Sequence, residues 1–273
     1  AERLYMSQPP LSRHIRQLEE RLGVTLFVRH TKGLTLTAEG RQVLAIIRPL
    51  LAKQDETYDA LSRLAQAGAS SLRIGLTTAF EQGVFATLET VLAAQVETLH
   101  VVRRGSPELV RQVRRGKLDA ALVALPLETS GLNLMPLSRQ EPLIAALPEQ
   151  WPESKQDRLM LRALNDRPLF WFKRERNPAF FDFTRDIFRR AGYLPACIEE
   201  PLEHDVLLAR IARGEGLSLF PESFAAIQRQ GVIFRPIDEA ALYVQCGLVT
   251  SPENAARLDW LVNMVQADSR GTS

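Results

Sequence analysis

The hydrophobic period of this chain shifts from helical spacing to short alternating runs and back, and those shifts mark out its elements. Leu11, Ile15, Leu18 and Leu22 recur at intervals of four, three and four, which is one face of an α-helix over 7–22. Ser7 supplies an N-cap, and Pro9 and Pro10 fall in the first turn, where a missing N–H costs little. At about 100° per residue the opposite face collects Pro9, Ser12, Arg13, Arg16 and Glu20. Gly23 ends the helix. Two short strands, 26–29 and 34–36, then flank a turn at 30–33 that carries Arg29, His30 and Lys32 at its tip. Thr37 opens a longer helix. Its Leu44, Ile47, Leu51, Gln54, Tyr58, Leu61 and Ala65 alternate spacings of three and four, as a coiled-coil seam does. Polar residues fill the remaining faces of its second half, and Pro49 is expected to kink it. The run AGASS at 67–71 reads as a hinge.

From residue 72 strands and helices alternate. A strand at 72–78 leads to a helix over 82–94 with Val84, Leu88, Val91 and Leu92 inward. A strand at 99–103, a helix at 107–115 and an apolar strand at 118–125 follow, and 143–148 leads out. A second series repeats the scheme: strands at 169–172, 196–198, 217–220 and 232–234, and helices over 178–191, 203–213 and 222–229. The chain returns through a strand at 242–249 and finishes with a helix around 253–265. This βαβαβ order predicts a mostly parallel sheet covered by helices. Two α/β lobes, 72–140 with 242–267 and 141–241, joined by two crossings, resemble a periplasmic-binding-protein-like module. Such modules take ligands between the lobes, at the carboxyl ends of strands. The expected fold is therefore multidomain: a winged helix-turn-helix (α+β) at 1–36, a linker helix at 37–67 and a two-lobed α/β domain.

Composition narrows the function classes. A length of 273 residues with 45% hydrophobic and 24% charged content is ordinary for a globular protein of more than one domain. The net charge of +2 is unevenly placed, because residues 1–37 hold six basic residues against three acidic ones. The positive balance thus falls on the helix and hairpin that would meet phosphates. Cys197 and Cys246 match no metal or redox spacing and read as free thiols of a cytoplasmic protein. No apolar run approaches a membrane span, and the four histidines show no ligand spacing. Neither a Walker pattern, a nucleophile elbow nor HExxH occurs, so an enzyme is not expected, and no cofactor is implied.

The stretch AERLYMSQPPLSRHIRQLEERLGVTLFVR, with LTLTAEG after it, resembles the DNA-binding domain of LysR-type transcriptional regulators over residues 1–40. GKLDAAL at 116–122 and GEGLSLFP at 214–221 resemble that family's effector domain more loosely. Two departures stand out. The chain begins part-way into the family's first helix, as an N-terminally truncated sequence would, and Gln95 replaces a frequent Tyr-Pro pair. The resemblance implies a regulator that binds an interrupted inverted repeat in double-stranded promoter DNA. It also implies a homodimer or homotetramer paired through the linker helix, a small-molecule effector, and RNA polymerase as a further partner.

On the helix the candidate DNA contacts are Gln8, Pro9, Ser12, Arg13 and Arg16; on the wing they are Arg29 and Lys32. An arginine can present a bidentate fork to guanine, glutamine can read adenine, and a small serine lets the helix approach closely. Wing cations neutralise phosphates or enter the minor groove. The candidate effector contacts lie at strand ends: Thr77, Thr78 and Ser106 in the first lobe, and Phe172, Lys173, Arg174, His204 and Asp205 in the second. Ser106 opens a helix, where free N–H groups and the dipole favour an anion, although a plain helix cap explains it equally well. The resemblance implies that the positions of Thr78 and Ser106 hold the carboxylate of a small acid. Asp205 would favour a ligand that also bears a hydroxyl or an amine. The alternative is a two-lobed small-molecule binding protein without a DNA role.

Overall fold

The computed structural model describes residues 8–30, 33–65 and 71–270, and the chain divides into two compact units at residues 65 and 66. In the first unit, α1 (Gln8–Leu22) leads into a hairpin of β1 (Phe27–His30) and β2 (Gly33–Leu36). Gly23 adopts φ +67°, and the Val24 N–H donates to the Glu19 carbonyl at 3.2 Å, closing the helix in a Schellman motif. Glu19 reaches forward as well: its Oε1 accepts from the Leu26 and Phe27 N–H groups at 2.7 and 3.2 Å, tying α1 to the wing. Thr37 caps α2 (Ala38–Ala65), its Oγ1 accepting from the Gly40 N–H at 2.8 Å. A Cβ on Gly40 would stand 2.3 Å from the Leu26 carbonyl oxygen, so only glycine lets α2 meet the wing this closely.

The apolar stripes of this unit stay partly open. Ile15 is half-buried, whereas Leu18 and Leu22 are 40% and 46% exposed. On α2 the greatest exposure falls at Ile46 (74%) and Leu50 (68%), one position before the predicted seam residues Ile47 and Leu51. The apolar face of α2 is therefore broader than a heptad seam.

The second unit is built on a curled mixed sheet. Its members are β3 (Ser71–Thr77), β4 (Thr98–Arg104), β5 (Ala120–Leu125), β6 (Asn133–Pro148), β10 (Val232–Pro236) and β11 (Tyr243–Thr250). Across the sheet they run in the order β10-β6-β11-β5-β3-β4. In lobe I, β3 pairs parallel with β4 and β5, while α3 (Ala86–Gln95) and α4 (Ser106–Arg114) form the crossovers. In lobe II, β7 (Leu169–Trp171) pairs parallel with β8 (Cys197–Glu199), and β9 (Ser218–Pro221) pairs antiparallel with β6. Around these strands lie α5 (Pro178–Arg190) and α6 (His204–Ala212), and α7 (Asp259–Arg270) ends the described chain.

Five expectations change. The main sheet is not mostly parallel: only β3 with β4 and β5 runs parallel, whereas β11 pairs antiparallel with β5 and β6, and β6 antiparallel with β9 and β10, because the chain returns along β6 and β11 rather than through further helical crossovers. The outgoing strand is not confined to 143–148; β6 runs for 16 residues and serves both lobes, pairing first with β11 and then with β9 and β10. The helix expected at 222–229 shrinks to a 3-10 turn at Glu222–Ala226, whose Ser223 N–H is held by Glu141. The helix expected from 82 begins as a 3-10 turn, Gln82–Phe85, which rotates Val91 outward to 38% exposure and buries Phe85. The final helix is likewise preceded by two 3-10 turns, at Pro252–Asn254 and Ala256–Leu258.

Two buried carboxylates organise this unit. Glu141, where β6 passes between lobes, accepts from the Ser223 N–H (3.0 Å) and the Arg139 Nε (3.1 Å), and Ser223 Oγ accepts from the Glu81 N–H (3.2 Å). Asp119, 3% exposed, accepts from the Arg73 N–H (2.8 Å), the Arg73 guanidinium and Arg257 Nη2 (2.6 Å). It therefore joins β3, β5 and the chain before α7. Burial pushes the Asp119 pKa up, but the hydrogen bonds and charge of Arg73, with Arg257, outweigh it and hold the carboxyl below its ordinary value. A lowered folded-state pKa stabilises the fold above the unfolded value of about 4, and that stabilisation drains away as pH falls through the folded pKa. Urea unfolding of Asp119→Asn should show a loss of about 2–4 kcal/mol at pH 7 that shrinks below about pH 4. A wild-type minus variant difference independent of pH would contradict this assignment.

Candidate functional site

Two surfaces are built for recognition. On α1, Arg13 and Arg16 are both exposed and lie roughly 60° apart around the axis, and Ser12 beside them is half-buried. Gln8 and Pro9 open the same helix, Arg29 lies in β1, and Lys32 lies outside the described residues. The hairpin is pinned by His30 Nε2 against Thr35 Oγ1 at 2.8 Å. The arrangement offers two cationic side chains on one helix face next to a β-ribbon.

The second surface is a cavity of about 590 Å³ between the lobes. Lobe I contributes Gly105, Ser106, Pro107, Glu108 and Arg111 from the start of α4. Ser106 is buried, its Oγ accepts from the Ala124 N–H at 2.9 Å, and it lies 2.7 Å from Thr77 Oγ1, which accepts in turn from the Ala79 N–H at 3.2 Å. Two hydroxyls share one bridge. When Thr77 donates that bridge, the Ser106 hydrogen is left for the cavity, which Ser106 lines and Thr77 does not. The Ser106 N–H in the first turn has no helical partner, and Pro107 has no N–H at all. This corner is a donor.

Lobe II supplies an aromatic wall. Trp171 and Phe172 at the end of β7 and Phe180 on α5 have centroids 5.0–6.5 Å apart, and the Phe180 ring lies within 28° of parallel to each of the other two. His204 stands edge-on to Phe220 and Phe224 at 5.7 and 4.9 Å. Burial lowers its pKa against a smaller opposing pull from Asp205, so the imidazole is neutral at pH 7. Beside this wall Arg176 Nη1 donates to Glu200 Oε1 at 3.2 Å. Burial pushes the Glu200 carboxyl up to about 7, against the pull of Arg176.

Of the predicted effector residues, the fold brings Ser106, Phe172 and His204 to the cavity. The other five do not line it. Thr77 is one hydroxyl behind Ser106, and Thr78 continues the pairing of β3 with β4, its N–H held by the Arg104 carbonyl at 3.1 Å. Lys173 and Arg174 point outward into ion pairs with Glu199 (2.9 Å) and Asp182 (2.6 Å), and Asp205 is solvent-exposed. Sequence reasoning placed the lobe II cation two residues early, because a 3-10 turn at Arg174–Arg176 carries Arg176 inward. The signal was present in Asn177-Pro178, an N-cap and N1 pair that fixes where α5 begins. Of the adjacent acids Glu199 and Glu200, only Glu199 is exposed, and nothing in their order in the chain distinguishes them.

Comparison with known proteins identifies both parts of the chain. The family model described as "LysR substrate binding domain" matches residues 65–270, and "Bacterial regulatory helix-turn-helix protein, lysR family" matches residues 1–41. The HTH-type transcriptional regulator IlvR of Caulobacter vibrioides is 30% identical over 273 residues, covering 98% of this chain and 91% of its own length. The HTH-type transcriptional regulator YnfL of Escherichia coli (strain K12) is 30% identical over 254 residues, covering 88% of this chain and 81% of its own. The structure of full-length CbnR complexed with its target DNA shares the fold at a TM-score of 0.65 and 22% identity, covering 97% of this chain and 92% of that one. The helix-turn-helix match, the two-lobed domain and these relatives agree: the chain belongs to the LysR family of DNA-binding transcriptional regulators, which are not enzymes.

Proposed function

We propose that this regulator senses a small carboxylate-bearing effector in the cleft between its lobes and reports it to DNA through α1 and the wing. The observation that carries the effector reading is Ser106: a buried residue at a helix N-terminus that lines the cavity, its N–H without a helical partner and its Oγ accepting from the Ala124 N–H, so that its hydrogen faces the cavity when Thr77 donates their shared bridge. Phe172 and His204 wall the same cavity. Arg13 and Arg16, with Gln8, Pro9 and Ser12 on the helix and Arg29 and Lys32 on the wing, are the DNA contacts in this reading, and the target is an interrupted inverted repeat in a promoter.

The proposed organisation is a DNA reader at 1–36, a linker at 37–67, lobe I at 72–140 and 242–267, and lobe II at 141–241. The exposed apolar face of α2 is the surface on which subunits pair, as homodimers within a homotetramer. Among the described residues no helix is long and apolar enough to cross a membrane, and the working compartment proposed is the cytoplasm, where DNA and RNA polymerase are reached. Effector binding shifts the population of lobe angles, and with it the spacing of DNA-reading heads.

Arg13→Ala should weaken footprinting of the DNA upstream of the protein's own gene by about tenfold to a hundredfold, with the circular dichroism spectrum unchanged. Undiminished protection would remove Arg13 from the interface. Ile46→Glu with Leu50→Glu should lower the oligomeric mass measured by light scattering and raise the dissociation constant at least tenfold, because each apolar side chain buried on pairing contributes about 1.5–3 kcal/mol. An unchanged mass would place the pairing surface elsewhere.

A further inference from the structure

The charges around the cleft do not suit a simple anion. Its ionisable lining comprises three carboxyl groups, Glu108, Glu175 and Glu200, two guanidinium groups, Arg111 and Arg176, and the imidazole of His204. Both guanidinium groups are already engaged, Arg111 with Glu108 and Arg176 with Glu200. Neither is left to balance a purely anionic ligand in this partly desolvated space. A ligand that carries its own positive charge needs no such partner.

The place for that charge is in lobe II. The Glu200 N–H donates to the Trp171 carbonyl at 3.3 Å, which seats this side chain beside the aromatic wall. Arg176 touches only Oε1, and Oε2 makes no hydrogen bond among the described residues. Glu200 lines the same cavity as Trp171, Phe172 and Phe180, and a carboxyl group together with aromatic rings is a combination that binds ammonium groups, through charge pairing and through the negative faces of the rings. The opposite corner, at Ser106, donates hydrogen bonds and suits a carboxylate.

Resting on the reading of this cleft as the effector site, we propose that the effector is a small zwitterion with an apolar body. Its carboxylate meets Ser106 and the first turn of α4, and its ammonium meets Glu200 and the rings of Trp171, Phe172 and Phe180. The apolar stretch between them lies along Leu219, Phe220 and Val244. α-Amino acids with aliphatic or aromatic side chains are the chemical class that fits.

The test is isothermal titration of the full chain with apolar α-amino acids from valine to tryptophan. Each is set against its des-amino acid and its decarboxylated amine, for example phenylalanine against 3-phenylpropanoate and 2-phenylethylamine. At least one amino acid should bind ten or more times tighter than both its counterparts. Glu200→Gln should erase that preference while leaving the des-amino acid's affinity unchanged, and Ser106→Ala should weaken amino acid and des-amino acid alike. A des-amino acid that binds as tightly as its amino acid, with Ser106→Ala weakening both and Glu200→Gln neither, or the failure of every amino acid to bind, overturns the inference and leaves the cleft reading standing. An amino acid whose affinity neither substitution alters binds elsewhere, and that result overturns the cleft reading itself.

Discussion

Everything in the two-lobed unit depends on one strand that belongs to two sheets. A β-strand has two hydrogen-bonding edges, and β6 uses them for different partners along its length: β11 over its first half, β9 and β10 over its second. The register change in β11 between Gln245 and Gly247 lets the ladder bend at this passage. With the lobes joined there, their strand ends are left facing one another across a gap, and the cavity is that gap. Glu141 sits in the bend, and its carboxylate satisfies the Ser223 N–H, which the turn following β9 would otherwise leave unpaired.

What the sequence discloses depends on whether the deciding interaction is local. The cap at Thr37, the stop at Gly23 and the wing strands are fixed by residues within a few positions of one another, and each is readable from the order of amino acids alone. The full length of β6 is not readable in this way. Its first half, NLMPLSRQEP, carries two prolines and alternates only weakly, and it becomes a strand because β11, about a hundred residues later, pairs with it. The partner of the Ser223 N–H is equally remote, since Glu141 lies 82 residues away.

The site divides along the same line. Ser106 was legible because a strand followed by a helix N-terminus fixes its position almost alone. Arg176 and Glu200 were not, because one short turn decides which of three successive cations faces inward, and parallel pairing of β7 with β8 decides which of two adjacent glutamates does. For the cation the residue type was identified and its position was not; for the glutamate neither was, since adjacent residues of a strand face opposite ways and only the pairing decides which faces inward.

The contact between Glu81 and Ser223 has a mechanical consequence. It joins the loop after β3 to the turn after β9, next to the strand that passes between the lobes, so it lies near the axis about which the lobes would turn. Contacts close to a pivot resist translation far more than rotation. Any rotation about that axis would move groups in proportion to their distance from it, least at Glu141 and more at outlying groups such as the exposed Leu202 on the cavity's lip. A small turn at the floor of the cleft would thus appear as travel at its rim.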